Sequence, residues 1–274
     1  MKKLEYTFTN DILFKLVFSR NEDLLKKLVA VLLGIQYESI TDFYVTNPEM
    51  PPEVMGDKFC RLDINMTVNG QKTDLEIQVD DEGDYPERSL YYWAREYSTA
   101  LKSGGEYIDL PRTIVISIVD FKMFDCKEFY SEFKALEVSR HEALTDKFCM
   151  MYFELPKAPK TISKDDKLKL WLSLFNADTE EELKQIENLE VAEMEQAIKA
   201  FRHVSATDEF KELERLRSRA RHNEASALGN ARRKGYREAE EKLQVVIADK
   251  DAALAKKEAE NETLRKRLAE LESN

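Results

Sequence analysis

Cysteine, histidine and glycine are scarce in this chain of 274 residues, and each scarcity closes off a class of chemistry. Cys60, Cys126 and Cys149 show no CxxC spacing, so neither a disulfide framework nor a zinc ribbon is expected, and reduced thiols are the simpler reading. His141, His203 and His222 stand apart, outside the HxxxH and HxE patterns of a zinc site. The 8 glycines are scattered, none in a GxxxxGK or GxGxxG arrangement, which argues against a nucleotide cofactor. Long hydrophobic runs are missing too. The apolar stretch 28–34 is far too short to span a bilayer and no charged-then-apolar leader precedes it, so a cytoplasmic protein with no membrane partner is expected.

Charge is plentiful. With 43% hydrophobic and 10% aromatic residues the chain can bury a sizeable core, yet 35% of residues are charged, which requires a solvated, charge-rich helix somewhere. The net charge of −11 excludes a protein coated in basic residues. Basic residues are instead concentrated: residues 211–237 hold nine Lys or Arg against three Glu, a local +6 that includes Arg215, Arg217, Arg219 and Arg221. That run reads either as a solvated helix face or as a phosphate-binding patch.

The first segment has helical periodicity. Asn10 is placed to cap a helix with Leu13, Leu16 and Val17 as its apolar stripe and Asp11 and Lys15 on another face. Asn21 is placed to cap a second helix that Gly34 ends. After a loop rich in proline, the period changes to alternation. Leu62, Ile64, Met66 and Val68 face one way, and Arg61, Asp63, Asn65 and Thr67 the other, as in a half-buried strand. Asn69-Gly70 is a tight-turn signal, because both positions of that turn need a positive φ. The return strand alternates as well, with Leu75, Ile77 and Val79 against Lys72, Asp74, Glu76 and Gln78.

A two-residue turn at 69 and 70 pairs residues whose numbers sum to 139, so Asp63 is expected opposite Glu76, with Cβ atoms about 4.5–5.5 Å apart. Gln78 shares their face. Carboxylates so placed are either ordinary acids on a wet face or a site for a hard divalent cation, Mg²⁺ first and Mn²⁺ second.

Asp63, twelve intervening residues, then Glu76-Ile77-Gln78 resembles the D…(D/E)x(K/Q) signature of PD-(D/E)XK nucleases, and the surroundings resemble the Rpn family of recombination-promoting nucleases and transposases. The supporting motifs are D-x-x-F-K at Asp11, Phe14 and Lys15, LDI at Leu62 to Ile64, E-x-Q at Glu76 and Gln78, and R-x-x-x-Y at Arg88 and Tyr92, with the strand Thr113 to Val119 beyond. Two departures from the broader pattern are Leu62 in place of a proline and Gln78 in place of a lysine; within the Rpn-like group glutamine is the familiar form. The resemblance implies an α/β fold, a restriction-endonuclease-like core with a mixed central sheet flanked by helices. It implies that Asp63, Glu76 and the Ile77 backbone carbonyl ligate Mg²⁺ (or Mn²⁺) and that Gln78 positions the attacking water; Asp11 reads either as an outer ligand from the first helix or as an exposed residue near a helix start, where negative charge is favourable. A helix from about Pro86 to Lys102 is expected to bury Leu90, Ala94, Tyr97 and Leu101 and to present Arg88, Tyr92 and Arg95 which, with Lys15, would hold phosphate.

Beyond this core at 1–155, a helical extension is expected over 156–234 and a long helix over 235–274 that reads as a modest coiled coil or as a single charged helix. In the last segment Ile247, Leu254, Asn261 and Leu268 fill a positions and Leu243, Lys250, Lys257, Leu264 and Leu271 fill d positions, six of these nine being apolar. The function expected is a metal-dependent endonuclease on double-stranded DNA, linked to recombination or mobile elements and paired as a homodimer through its C-terminal helix. The alternative is a catalytically silent module of the same fold that binds nucleic acid or protein. Strand transfer rather than hydrolysis is a third reading that the residues do not separate.

Overall fold

The computed structural model describes residues 2–46, 64–101, 103–159 and 162–272. Within them, β1 (Phe43–Val45), β2 (Ile64–Val68), β3 (Gln71–Gln78), β4 (Thr113–Val119), β5 (Tyr130–Phe133) and β6 (Phe148–Glu154) form one sheet in the order β1-β2-β3-β4-β6-β5. β1 to β3 and β5–β6 pair antiparallel, whereas β3, β4 and β6 run parallel. The mixed α/β sheet is the one the motifs imply.

The hairpin has the expected register: Ile64 pairs with Leu75 and Val68 with Gln71. Its turn uses Asn69 at φ 49° and Gly70 at φ 73°. Asn69 does more than tolerate the turn. Its Oδ1 accepts from Thr41 N at 2.8 Å and Asp42 N at 3.2 Å, and its Nδ2 donates to Ser39 O at 2.8 Å, tying the turn to the segment that leads into β1.

Alternation sends the side chains of each strand to two different layers. Ile64, Met66, Leu75, Ile77, Ile116 and Phe153 join a large apolar core with α1 (Asp11–Ser19), α2 (Glu22–Leu33), α4 (Lys167–Asn176), α5 (Glu180–Glu187) and α6 (Ala192–Ala206). Aromatic rings dominate its centre. Phe8 stacks on Phe201 at 4.3 Å, and Phe18 lies 5.9 Å from Trp171. The helical segment after β6 therefore shares this core with the sheet, and the chain divides further on, into compact units Met1–Leu216 and Arg217–Asn274.

Caps follow the sequence signals with one exception. Asn10 Oδ1 accepts from Leu13 N at 2.9 Å, and Thr179 and Glu182 form a reciprocal capping box at α5. Asn21 stands at the start of α2 but makes no cap bond; its Nδ2 donates to Val17 O at 2.6 Å instead. Helix α1 is also more enclosed than its pattern implies. Every residue from Ile12 to Phe18 is buried, Lys15 included, because α1 packs against α2, α6 and β3 at once.

The opposite sheet face is covered by α3 (Tyr85–Thr99), around which Tyr85, Val119, Met150 and Tyr152 make a second, smaller cluster with Trp93 and Phe148. Here the helix is turned relative to expectation. Leu90 is 49% exposed and Ala94 is exposed, while Tyr85 and Ser89 are fully buried and Trp93 reaches the sheet, its Nε1 donating to Thr113 O at 2.9 Å. Aliphatic spacing alone misleads because this face of the sheet is lined by aromatic and polar groups, and the helix meets it with rings and a hydroxyl.

The final helix, α7 (Asp208–Glu272), starts in the first unit, where Phe210 is buried and Glu209 takes both Arg20 Nη1 and Nη2, at 3.0 and 2.6 Å. In the second unit Leu243, Ile247, Leu254, Leu264, Leu268 and Leu271 are all exposed. No described helix is long and apolar enough to cross a membrane.

Candidate active site

The site implied by the motifs lies on the α3 face of the sheet. Parity places Asp74, Glu76 and Gln78 of β3 on that side, and in-register pairing sets Glu76 beside Ser117 of β4. This face is not wet as the alternation implied. Glu76 is 7% exposed and Asp74 2%, since α3 roofs the strand. A carboxyl group so enclosed needs polar company. Part of it is Tyr85, whose hydroxyl donates to Glu76 Oε2 at 3.1 Å. Burial pushes the Tyr85 phenol well above its ordinary range, and the Glu76 charge pushes it further, so it remains a donor at any neutral pH.

Tyr85 is held in turn. Its ring meets Phe121 edge-on at 5.9 Å and Tyr152 at 6.4 Å, and Tyr152 Oη shares a hydrogen bond with Ser89 Oγ at 2.7 Å. On the outer side the Arg88 guanidinium lies 5.0 Å from the Tyr85 ring centre. Arg88 Nη1 donates to Glu82 at 2.6 Å, while Nε and Nη2 are buried without a hydrogen-bond acceptor. Two hidden donors left open are costly, and an oxyanion fits that two-nitrogen edge.

The remaining predicted residues are distributed as follows. Ile77 has its side chain in the large core, 5% exposed, so only its main chain is available to a ligand. Gln78 is half-buried at the end of β3, its Nε2 donating to Asp80 O at 2.7 Å. Tyr92 is half-buried and Arg95 exposed along the same flank of α3 as Arg88. Asp11 is half-buried at the first turn of α1, its Oδ1 accepting from Ile12 N at 2.8 Å. Lys15 is 1% exposed. Asp63 lies outside the described residues, as does its pairing with Glu76.

Among the described residues no three His, Cys, Asp or Glu side chains cluster as a metal site. The donors that can be named, the Glu76 carboxylate and the Ile77 carbonyl, are oxygens, which suit a hard divalent cation. Tyr85, Ser89, Ser117 and Tyr152 escaped the sequence reading. One signal for them was present: Ser117 is the single interior hydroxyl in the apolar strand Ile114 to Val119, and it falls beside Glu76.

No curated protein and no solved structure matches the chain. A family model described as PD-(D/E)XK nuclease family transposase matches residues 8–231, spanning the sheet, α3 and the helices packed behind them. The order of motifs, the mixed sheet and that match agree: the chain belongs to the PD-(D/E)XK nuclease family transposases.

Proposed function

We propose that the protein is a Mg²⁺-dependent endonuclease that hydrolyses phosphodiester bonds in DNA. The observation that carries this reading is the enclosed Glu76 carboxylate, oriented by Tyr85, in a chain of this nuclease family. Asp63, Glu76 and the Ile77 carbonyl would hold the cation, with Asp11 as a further ligand, all of them oxygen donors. When bound, Mg²⁺ supplies a lowered pKa for water and offsets charge on the phosphodiester. The protein's own groups do the rest. Tyr85 keeps Glu76 in one orientation, and Gln78, its Nε2 engaged with Asp80, presents Oε1 as the acceptor that orients the attacking water. Arg88 offers Nε and Nη2 to a non-bridging phosphate oxygen, and Tyr92 and Arg95 continue the contact.

The test is nicking of supercoiled plasmid with Mg²⁺ and with chelator, comparing wild type, Asp63→Ala and Glu76→Gln after thermal melts confirm folding. A loss of about 10²-fold or more in both variants is expected, on the scale of removing one group that acts in the transition state. Nicking at the wild-type rate in both would end the assignment.

We also infer that α7 pairs with a second copy through its exposed seam of Leu243, Ile247, Leu254, Leu264 and Leu268, with Asn261 fixing the register. Light scattering on the full chain and on a chain ending near residue 235 tests this. Equal protomer counts in the two would remove the tail from any role in assembly.

A further inference from the structure

Four residues of α3 form one stripe by helical spacing: Arg88, Tyr91, Tyr92 and Arg95 stand at i, i+3, i+4 and i+7. The stripe begins beside the candidate site, since Arg88 covers the Tyr85 ring and Tyr85 reaches Glu76. It then runs outward along the helix. Tyr91 is 63% exposed, a large ring that the cluster beneath α3 does not use. Its neighbour Tyr92 lies 5.9 Å away with the rings near perpendicular, which leaves a Tyr91 face open. Guanidinium groups stand before and after it, Arg88 half-buried and Arg95 exposed.

Cations that alternate with an open aromatic face are the chemistry that binds a nucleic-acid strand whose bases are unpaired. The cations track phosphate, and the ring stacks on a base of any identity. A paired duplex keeps its base faces within the helix and offers this ring nothing to stack on. The seven steps from Arg88 to Arg95 rise about 10 Å, the length of roughly three nucleotides where the bases keep a stacked spacing of about 3.4 Å. We propose that this flank of α3 is the track for a single-stranded or locally opened stretch of DNA leading into the site, and that Tyr91 is its stacking platform. The proposal rests on the nuclease reading above and narrows its substrate from duplex DNA to DNA with exposed bases at the point of contact. It also fits a protein of net charge −11, in which contact must be confined to a narrow strip and supplemented by a non-ionic term.

The experiment is fluorescence anisotropy with the full chain in chelator, so that no cleavage intervenes. Three probes of equal length are compared: a labelled oligothymidine, the same backbone with abasic residues, and a blunt duplex. Wild type, Tyr91→Phe and Tyr91→Ala are each titrated. Tyr91 is 63% exposed and lies outside the cluster beneath α3, so both variants should melt as the wild type does. Tyr91→Ala is expected to bind oligothymidine about tenfold more weakly, Tyr91→Phe to match the wild type, and all three to bind the abasic strand equally. Wild-type affinity in Tyr91→Ala, or an equal loss on the abasic strand, overturns the stacking role while leaving the nuclease reading intact. Wild-type protein that binds none of the probes overturns both.

Discussion

The two faces of the central sheet are made by alternate residues of the same strands, yet they are built on different terms. Ile77 enters a large core of aliphatic and aromatic side chains to which six helices contribute. Glu76, one residue earlier, enters a small layer under one helix, among Tyr85, Ser89, Ser117 and Tyr152. The first face needs only shape and apolar area. The second must satisfy buried polar groups pair by pair, and it spends stability on a carboxylate that a folding protein has no reason to bury. Stability and chemistry are therefore separated by one residue of register within each strand.

Substitutions on the two faces should differ in size and in kind. The largest effect is expected for Phe175→Ala in the large core, where the ring meets Phe8, Phe14, Phe18 and Trp171. A loss of about 3–5 kcal/mol in denaturant unfolding should follow, and a loss below about 1 kcal/mol would mean that this core is not the main source of stability. On the α3 face, Tyr85→Phe keeps the ring and removes one hydrogen bond, for a cost of about 1–2 kcal/mol at neutral pH.

That second variant also carries a pH signature. Tyr85 and Tyr152 are both raised by burial, so they contribute stability that is fully present below their unfolded value of 10.0 and lost as the pH rises through the folded values. Melting curves above pH 10.0 should fall less steeply for a Tyr85→Phe, Tyr152→Phe double variant than for the wild type. Parallel curves would show that the phenols of this layer do not sense folding. The smallest effect, and of opposite sign, is expected for Thr73→Val. Thr73 is 2% exposed and its Oγ1 has no hydrogen-bond partner, so the isosteric change should leave stability equal or raise it by up to about 1 kcal/mol. A clear loss would reveal a partner for that hydroxyl.

The same contrast explains what the sequence made legible. The hairpin, its register and its turn could be read because a period of 2 and an Asn-Gly pair are local signals, and the strand Thr113 to Val119 could be read because all but Thr113 and Ser117 are aliphatic. The enclosure of Lys15 could not. A lysine in a helix reads as solvent-facing until α1 is seen to pack against α2, α6 and β3 at once. The orientation of α3 was misread for a related reason: Leu90 and Ala94 mark an apolar stripe only if the opposing layer is aliphatic, and here it offers Tyr152, Phe148 and a strand carbonyl. Motif spacing singled out Glu76 and Gln78 in advance because those positions lie close together in one strand. The groups around Glu76, namely Tyr85 and Ser89 of α3 and Tyr152 of β6, come from separate stretches and meet only in the fold.

The anchoring of Asn69 now takes on a further meaning. A slip of one position in this hairpin would leave most main-chain pairing possible, but it would exchange the occupants of the two layers, sending the acid into oil and an isoleucine toward the substrate. By gripping Ser39, Thr41 and Asp42, a single amide at the bend works as an indexing pin, and the placement of the buried acid is guarded from the strand's far end.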